Sequence, residues 1–310
     1  MHPNGTILGL AGKAGLRMAS LSQTFQGALR YRGGEHQLSY FGHRISGLGT
    51  LLFLTIHILD TSTVYFFPNL YVHAIAIYRS TPMMLGEMLL VVAVIAHGVN
   101  GLRIALSDFF PAWWRERPQR TAFWIVVAIS TVLSIPALYF MGRSLYLNNI
   151  CRCPPAERSS LDLPLGAELA IGGSFVIALA VLARAGTFRT LFNRRPRNFE
   201  TWMWLMMRWS AVLLIPLVWI HVLLVDVLFG VHRIDLNYVE LRWATLGWRV
   251  YDIALLAFAF AHGMNGLRGV MQDYVHSAAW RRRFNWAILG MWILWTAIGA
   301  VAIVGGVRAG

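Results

Sequence analysis

Four histidines stand inside long apolar runs: His57, His97, His221 and His262. An ionisable side chain in such a setting is costly to keep and points to function. They form two related sets. His97-Gly98-Val99-Asn100-Gly101-Leu102-Arg103 returns as His262-Gly263-Met264-Asn265-Gly266-Leu267-Arg268, and Asp108 and Asp273 follow at the same distance. Upstream, Arg44, Ser46 and His57 return as Arg208, Ser210 and His221.

The spacing sets depths. His57 lies 13 residues past Arg44, and His221 lies equally far past Arg208. At about 1.5 Å per residue this is about 20 Å from the boundary that the arginines mark. His97 and His262 precede Asp108 and Asp273 by 11 residues, which puts them about 16 Å from that boundary. The expectation is two levels, His97 with His262 nearer the boundary and His57 with His221 beyond. Two neutral imidazoles on facing helices are the axial ligands of a b-type haem. Zinc is the rival metal, but it wants further ligands at one level, and none is evident. Four histidines and several acids could also act as a proton relay in a haem-free transporter or channel.

Other side chains fit around these levels. Arg44, Arg103, Arg208 and Arg268 stand near the boundary, where guanidinium groups pair with carboxylates such as haem propionates. Charge anchoring and snorkelling are the plainer reading of any one of them. Gly98, Gly101, Gly263 and Gly266 would let a flat ring approach, or simply let helices pack closely. Four acids, Asp60, Glu87, Asp226 and Asp252, gather toward the opposite face, as a proton path, a second quinone site or plain helix-end solvation. Cys151 and Cys153 lack the spacing for covalent haem; a Cys-x-Cys disulfide is an open alternative to an incidental role.

The elements that must carry these residues follow from composition. Of 310 residues, 57% are hydrophobic and 13% charged, against roughly a quarter charged in a soluble domain. The chain is expected to be an all-α integral membrane protein. The net charge of +13 would suggest nucleic acid in a soluble protein, but here the arginines cluster between apolar runs, and no nucleic-acid partner is expected. The single lysine, Lys13, is in a polar stretch, which excludes a retinal-type Schiff base. Two cysteines are too few for an iron–sulfur cluster. No Gly-rich nucleotide loop is present.

Seven apolar runs are long enough to cross a bilayer: roughly 42–67, 83–107, 121–142, 165–185, 208–230, 249–272 and 284–307. Residues 1–40 have no apolar core long enough for a secretory signal. With seven transmembrane helices and a cytoplasmic N-terminus, most of the 27 basic residues fall inside, including Lys13, Arg17, Arg30, Arg32 and the cluster Arg189, Arg194, Arg195 and Arg197; the outer side holds the remainder, Arg158 among them. Dropping the fourth crossing spreads them almost evenly. The positive-inside bias therefore puts the C-terminus outside. The repeat agrees, because two parallel three-helix repeats need one extra span between them. The expected divisions are a cytoplasmic segment 1–40, a first repeat 41–142, a linker with the extra helix 143–200, and a second repeat 201–310.

With His43-Arg44-Ile45-Ser46-Gly47, the two His-Gly motifs, and Asp273-Tyr274, the chain resembles the membrane anchor, or cytochrome b subunit, of succinate dehydrogenase and fumarate reductase (respiratory complex II). Residues 40–142 are similar to the larger anchor of the two-chain form and 204–307 to the smaller. The resemblance implies that His97 and His262 ligate haem, with His57 and His221 matching the ligands of a two-haem branch. It implies propionate contacts from His43, Arg44, Arg103, Arg208 and Arg268. It implies a quinone site from Tyr40, Arg44, Ser46, Asp273 and Tyr274. It also implies a flavoprotein and an iron–sulfur subunit as partners, a bacterial cytoplasmic membrane, no catalytic residues of its own, and menaquinone rather than ubiquinone if two haems are bound. Two departures stand out: Tyr40 where the family often has serine, and Met207 where the first half has His43.

Overall fold

The computed structural model describes residues 34–110, 112, 115–153, 165–185 and 198–308. Lys13, Arg17, Arg30, Arg32, Arg158, Arg189, Arg194, Arg195 and Arg197 lie outside the described residues. Among the described residues every regular element is helical. They are α1 (Glu35–Phe66), α2 (Pro68–Tyr78), α3 (Thr81–Phe109), α4 (Glu116–Leu145), α5 (Leu165–Arg184), α6 (Phe199–Val222), α7 (Leu236–Ala244), α8 (Leu246–Tyr274) and α9 (Ala278–Gly305). The π-turns Tyr146–Ile150 and Leu223–Phe229 prolong α4 and α6.

Among the described residues six helices are long and apolar enough to cross a membrane. In lipid a helix satisfies its own backbone, which is why such sequences take this form. These are the six longest of the expected spans. The expected fourth is α5, at 20 residues, or about 30 Å, the thickness of a hydrocarbon core. The helices run past the apolar stretches at both ends, because polar residues such as Glu35 and Gln119 continue the hydrogen-bond ladder beyond the hydrophobic part. Two short helices, α2 and α7, were not foreseen. Pro68 opens α2, where its missing N–H costs nothing. Asp235 caps α7 by accepting a bond from the Tyr238 N–H at 2.8 Å.

Helices α1, α3, α6 and α8 close a ring, each packed on the next. Helix α4 packs on α3, α9 on α8 and α1, and α5 on α6. The ring takes the first two long helices of each half, so one intramembrane histidine comes from each wall. The main buried cluster joins the halves, with Leu51 and Val64 of α1 against Leu256, Phe260 and Met264 of α8 and Ile288 and Ile303 of α9.

Candidate functional site

The four histidines meet in the ring as the two expected pairs. The rings of His97 and His262 have centroids 6.2 Å apart and planes 89° apart. Those of His57 and His221 are 6.1 Å and 79° apart. That separation leaves room for a metal between two imidazole nitrogens at about 2 Å from each. Among the described residues no group of three or more His, Cys, Asp or Glu could hold a metal ion. Each level therefore brings together two imidazoles, where a zinc site takes three or four ligands.

Hydrogen bonds orient the first pair. His97 Nδ1 is 3.0 Å from the His43 carbonyl and 3.2 Å from Ser46 Oγ. His262 repeats this with the Met207 carbonyl and with Ser210 Oγ at 3.0 Å. An Nδ1–H given to a carbonyl leaves the Nε2 lone pair, on the far side of the ring, as the donor to a metal. The partner is a backbone carbonyl in both halves, which is why Met207 can stand where the first half has His43. Gly47 is needed here, since a Cβ would lie 2.7 Å from His97 Cε1. His43 also stacks flat on His97, with centroids 4.0 Å apart.

A cavity of about 670 Å³ opens beside this pair, lined by His43, Arg44, His97, Arg208, His262 and Arg268 among others. That is a cofactor-sized volume, and it holds three of the expected guanidinium groups. Gly263 and Gly266 line it. Gly98 and Gly101 face Ile215 and His43 across helix contacts, and a Cβ on Gly263 would lie 2.7 Å from Leu51 Cδ1, so close helix packing bears on both halves of the glycine motif. Buried nitrogens on His43 (Nδ1), His221 (Nδ1) and Arg103 (Nε and Nη1) have no hydrogen-bond partner. Arg103 does give Nη2 to Ser39 Oγ at 2.8 Å. Arg268, its counterpart, pairs with Glu200 and lies over the Phe199 ring.

The arginines at the end of the ring cross between the halves. Arg44 on α1 pairs with Asp273 on α8, and Arg208 on α6 pairs with Asp108 on α3 at 2.5 Å. Each lies over an aromatic ring one turn earlier, Tyr40 or Trp204. Of the expected quinone residues, Tyr40, Arg44 and Asp273 are brought together, and Tyr274 is exposed at the end of α8. Ser46 faces His97 instead. Asp108 as the partner of Arg208 was missed, although its place in the repeat marked it.

The four acids of the opposite end do not form one cluster. Asp252 accepts two bonds from Arg242, at 2.6 and 2.8 Å, and one from Trp243 Nε1 at 2.9 Å. Asp60 accepts from the Tyr78 hydroxyl at 2.8 Å. Burial, and then this bond, push the Tyr78 hydroxyl above its ordinary range. Burial works against the charge of Arg242, but Asp252 outweighs it and raises this guanidinium further. Glu87 and Asp226 share a small cavity of about 10 Å³ with Ser144. Arg242 was not foreseen, because it sits outside the spans on α7. Cys151 and Cys153 are joined as a disulfide.

The family model described as "Succinate dehydrogenase/Fumarate reductase transmembrane subunit" matches residues 30–137 and again 184–303. The chain belongs to this family. It is a membrane anchor of these enzymes and not a catalytic enzyme by itself. The two matched segments contain the two sets of repeated histidines. Over 114 residues, 36% of this chain, the anchor is 37% identical to the succinate dehydrogenase 2 membrane subunit SdhC of Mycobacterium tuberculosis, covering 81% of that protein.

Proposed function

We propose that this anchor is a two-haem cytochrome b that carries electrons from an iron–sulfur subunit to a membrane quinone in a succinate:quinone oxidoreductase. What supports the reading is the separation of both histidine pairs, about 6 Å between the centroids of nearly perpendicular rings contributed by opposite halves. His97 and His262 hold the haem nearer the arginine end, and His57 and His221 hold the other. Each haem would supply a one-electron carrier inside the bilayer. Arg44, Arg208, Arg268 and His43 line the cavity and would offer donors to propionates beside the first pair, and Arg103, outside that lining, has two further buried nitrogens without a partner. Ser46 and Ser210 hold the two imidazoles in register.

The quinone lies at the arginine end. Tyr274 offers its hydroxyl to a quinone carbonyl, Arg44 is poised beside it, and Asp273 fixes Arg44 while offering a carboxylate for proton exchange with the aqueous side. In this proposal the N-terminus and the arginine end face the cytoplasm, seven helices cross a bacterial cytoplasmic membrane, and the flavoprotein and iron–sulfur subunits dock on that face. Two haems go with menaquinone. A proton path toward the outer haem would use Glu87 and Asp226, because Asp252 and Asp60 are already engaged.

A pyridine haemochrome assay on purified protein tests the reading, with two b haems expected per chain. His57→Ala should remove about half of the absorbance and leave one redox transition. A preparation without haem would leave an anchor that carries no electrons on haem and overturn the cytochrome reading, and one haem would remove the outer site. Tyr274→Phe should depress quinone reduction while succinate oxidation by a soluble artificial acceptor continues. Normal quinone turnover in that variant would displace the site.

A further inference from the structure

Cys151 and Cys153 lie where α4 and its π-turn Tyr146–Ile150 end, at the opposite end of the bundle from the Arg44–Asp273 and Arg208–Asp108 pairs. Their bond joins residues two apart in the chain and ties no second element to the turn. A loop this short also restricts the unfolded chain least. The turn has other anchors. The N–H groups of Cys151 and Cys153 donate to the Tyr146 and Leu147 carbonyls at 2.8 and 2.9 Å. Asn149 Nδ2 donates to the Arg79 carbonyl at 2.9 Å and to Thr81 Oγ1 at 3.1 Å, and Asn148 Nδ2 donates to the Ser144 carbonyl at 2.8 Å. Crosslinking therefore does not account for the disulfide.

Cys151, Arg152 and Cys153 are all exposed, so a thiol in water can reach the bond. Arg152 has a φ of +55°, and among the described residues it is the only one other than glycine with a positive φ. A left-handed backbone is unfavourable for a residue with a Cβ, and opening the bond frees Arg152 to leave it. Arg152 also carries a positive charge between the two cysteines in the chain, which favours the thiolates that opening creates. Exposed or strained disulfides are the labile ones.

We propose that Cys151–Cys153 is a thiol–disulfide exchange site, reversibly modified by soluble thiols. A thiolate attacks one Sγ and forms a mixed disulfide, the bond between the cysteines breaks, and the other cysteine leaves as a thiolate. A second thiolate then attacks the thiol-derived sulfur of the mixed disulfide and releases the remaining cysteine. The cysteine pair gains two electrons and two protons, and two thiols become one disulfide; a disulfide in the medium reverses the sequence. Asn148 and Asn149 hold the turn in both forms. In the topology proposed above the site faces outward, and that placement alone rests on the proposed function.

Membranes containing the assembled complex would be equilibrated with glutathione buffers, quenched in acid and treated with a maleimide of large mass. The chain has two cysteines, so its gel shift counts both. No tag is expected without reductant, and two are expected after glutathione, with succinate oxidation retained. Tags without reductant, or a bond that resists glutathione as structural disulfides do, would overturn the proposal. Arg152→Gly should lower the exchange equilibrium constant by about threefold or more, and Arg152→Gln, which keeps a Cβ, should lower it less. A constant unmoved by Arg152→Gly, or moved as far by Arg152→Gln, would overturn the part given to the backbone. Cys151→Ser combined with Cys153→Ser should leave the thermal inactivation temperature of the complex unchanged; a fall would reveal a crosslink and overturn the proposal. In intact cells an impermeant phosphine followed by an impermeant maleimide should tag the chain. Tagging only in broken cells would overturn the outward topology and leave the exchange standing.

Discussion

At Gly47 a single methyl group is enough to test the first histidine pair. Its Cβ would lie 2.7 Å from His97 Cε1, while Gly49, two residues on, has open space. Gly47→Ala should therefore displace His97 and remove the haem nearer the arginine end, leaving the His57/His221 transition in a redox titration. Gly49→Ala should leave both. The hydroxyls act more gently. Ser46→Ala and Ser210→Ala each remove one contact to a histidine Nδ1 while the carbonyl contact stays. Loss of an outer partner of this kind typically weakens metal retention by about 10-fold to 100-fold. Haem loss to apomyoglobin should quicken toward the lower end of that range, with an altered low-spin electron paramagnetic resonance signal. Unchanged loss rates would mean that the carbonyls alone set the rings.

Helix α7 shows how a short element governs a long one. Arg242 leaves the aqueous end of the bundle to grip Asp252 on α8, with Trp243 on the same carboxylate and Trp248 and Tyr251 around the guanidinium. Both partners are largely buried. Removing one leaves the other charged and alone, which costs about 3–5 kcal/mol, whereas removing both costs much less. Arg242→Met should therefore lower the thermal inactivation temperature of the detergent-solubilised complex, and Asp252→Asn added to it should restore most of the loss. An additive double variant would show that the pair does not act as a unit. The π-turn Leu223–Phe229 works at the same scale. It ends at Gly230, whose φ of +75° suits glycine, and it sets Asp226 beside Glu87, away from Asp60.

For the whole molecule the decisive fact is that each histidine pair and the Arg44–Asp273 and Arg208–Asp108 pairs take one partner from each half. Neither half alone can complete a level. Residues 1–160 and 161–310 expressed separately should thus carry no haem, and co-expressed they should regain a b-type spectrum. Haem in either half by itself would contradict the cross-pairing. The two halves are also tied through the apolar contact of α1 with α8 and α9, so reassembly has a large surface to drive it.

Much was legible in the sequence because its signals are local or periodic. Apolar runs of bilayer length specify helices wherever lipid forbids unpaired backbone groups, and the repeated His positions named the two histidine pairs before any contact was known. The spacing of His57 from Arg44 and of His97 from Asp108 sufficed for two levels, since rise per residue is constant in a helix. Tertiary structure alone decided what depends on lateral neighbours. It turned Ser46 from the quinone toward His97, gave Asp252 the unforeseen Arg242, and split four acids that share a depth into different surroundings. Depth follows from counting along one helix. Which face meets which neighbour depends on how separate helices pack, and residues as distant in the chain as Arg44 and Asp273 meet only once that packing is complete.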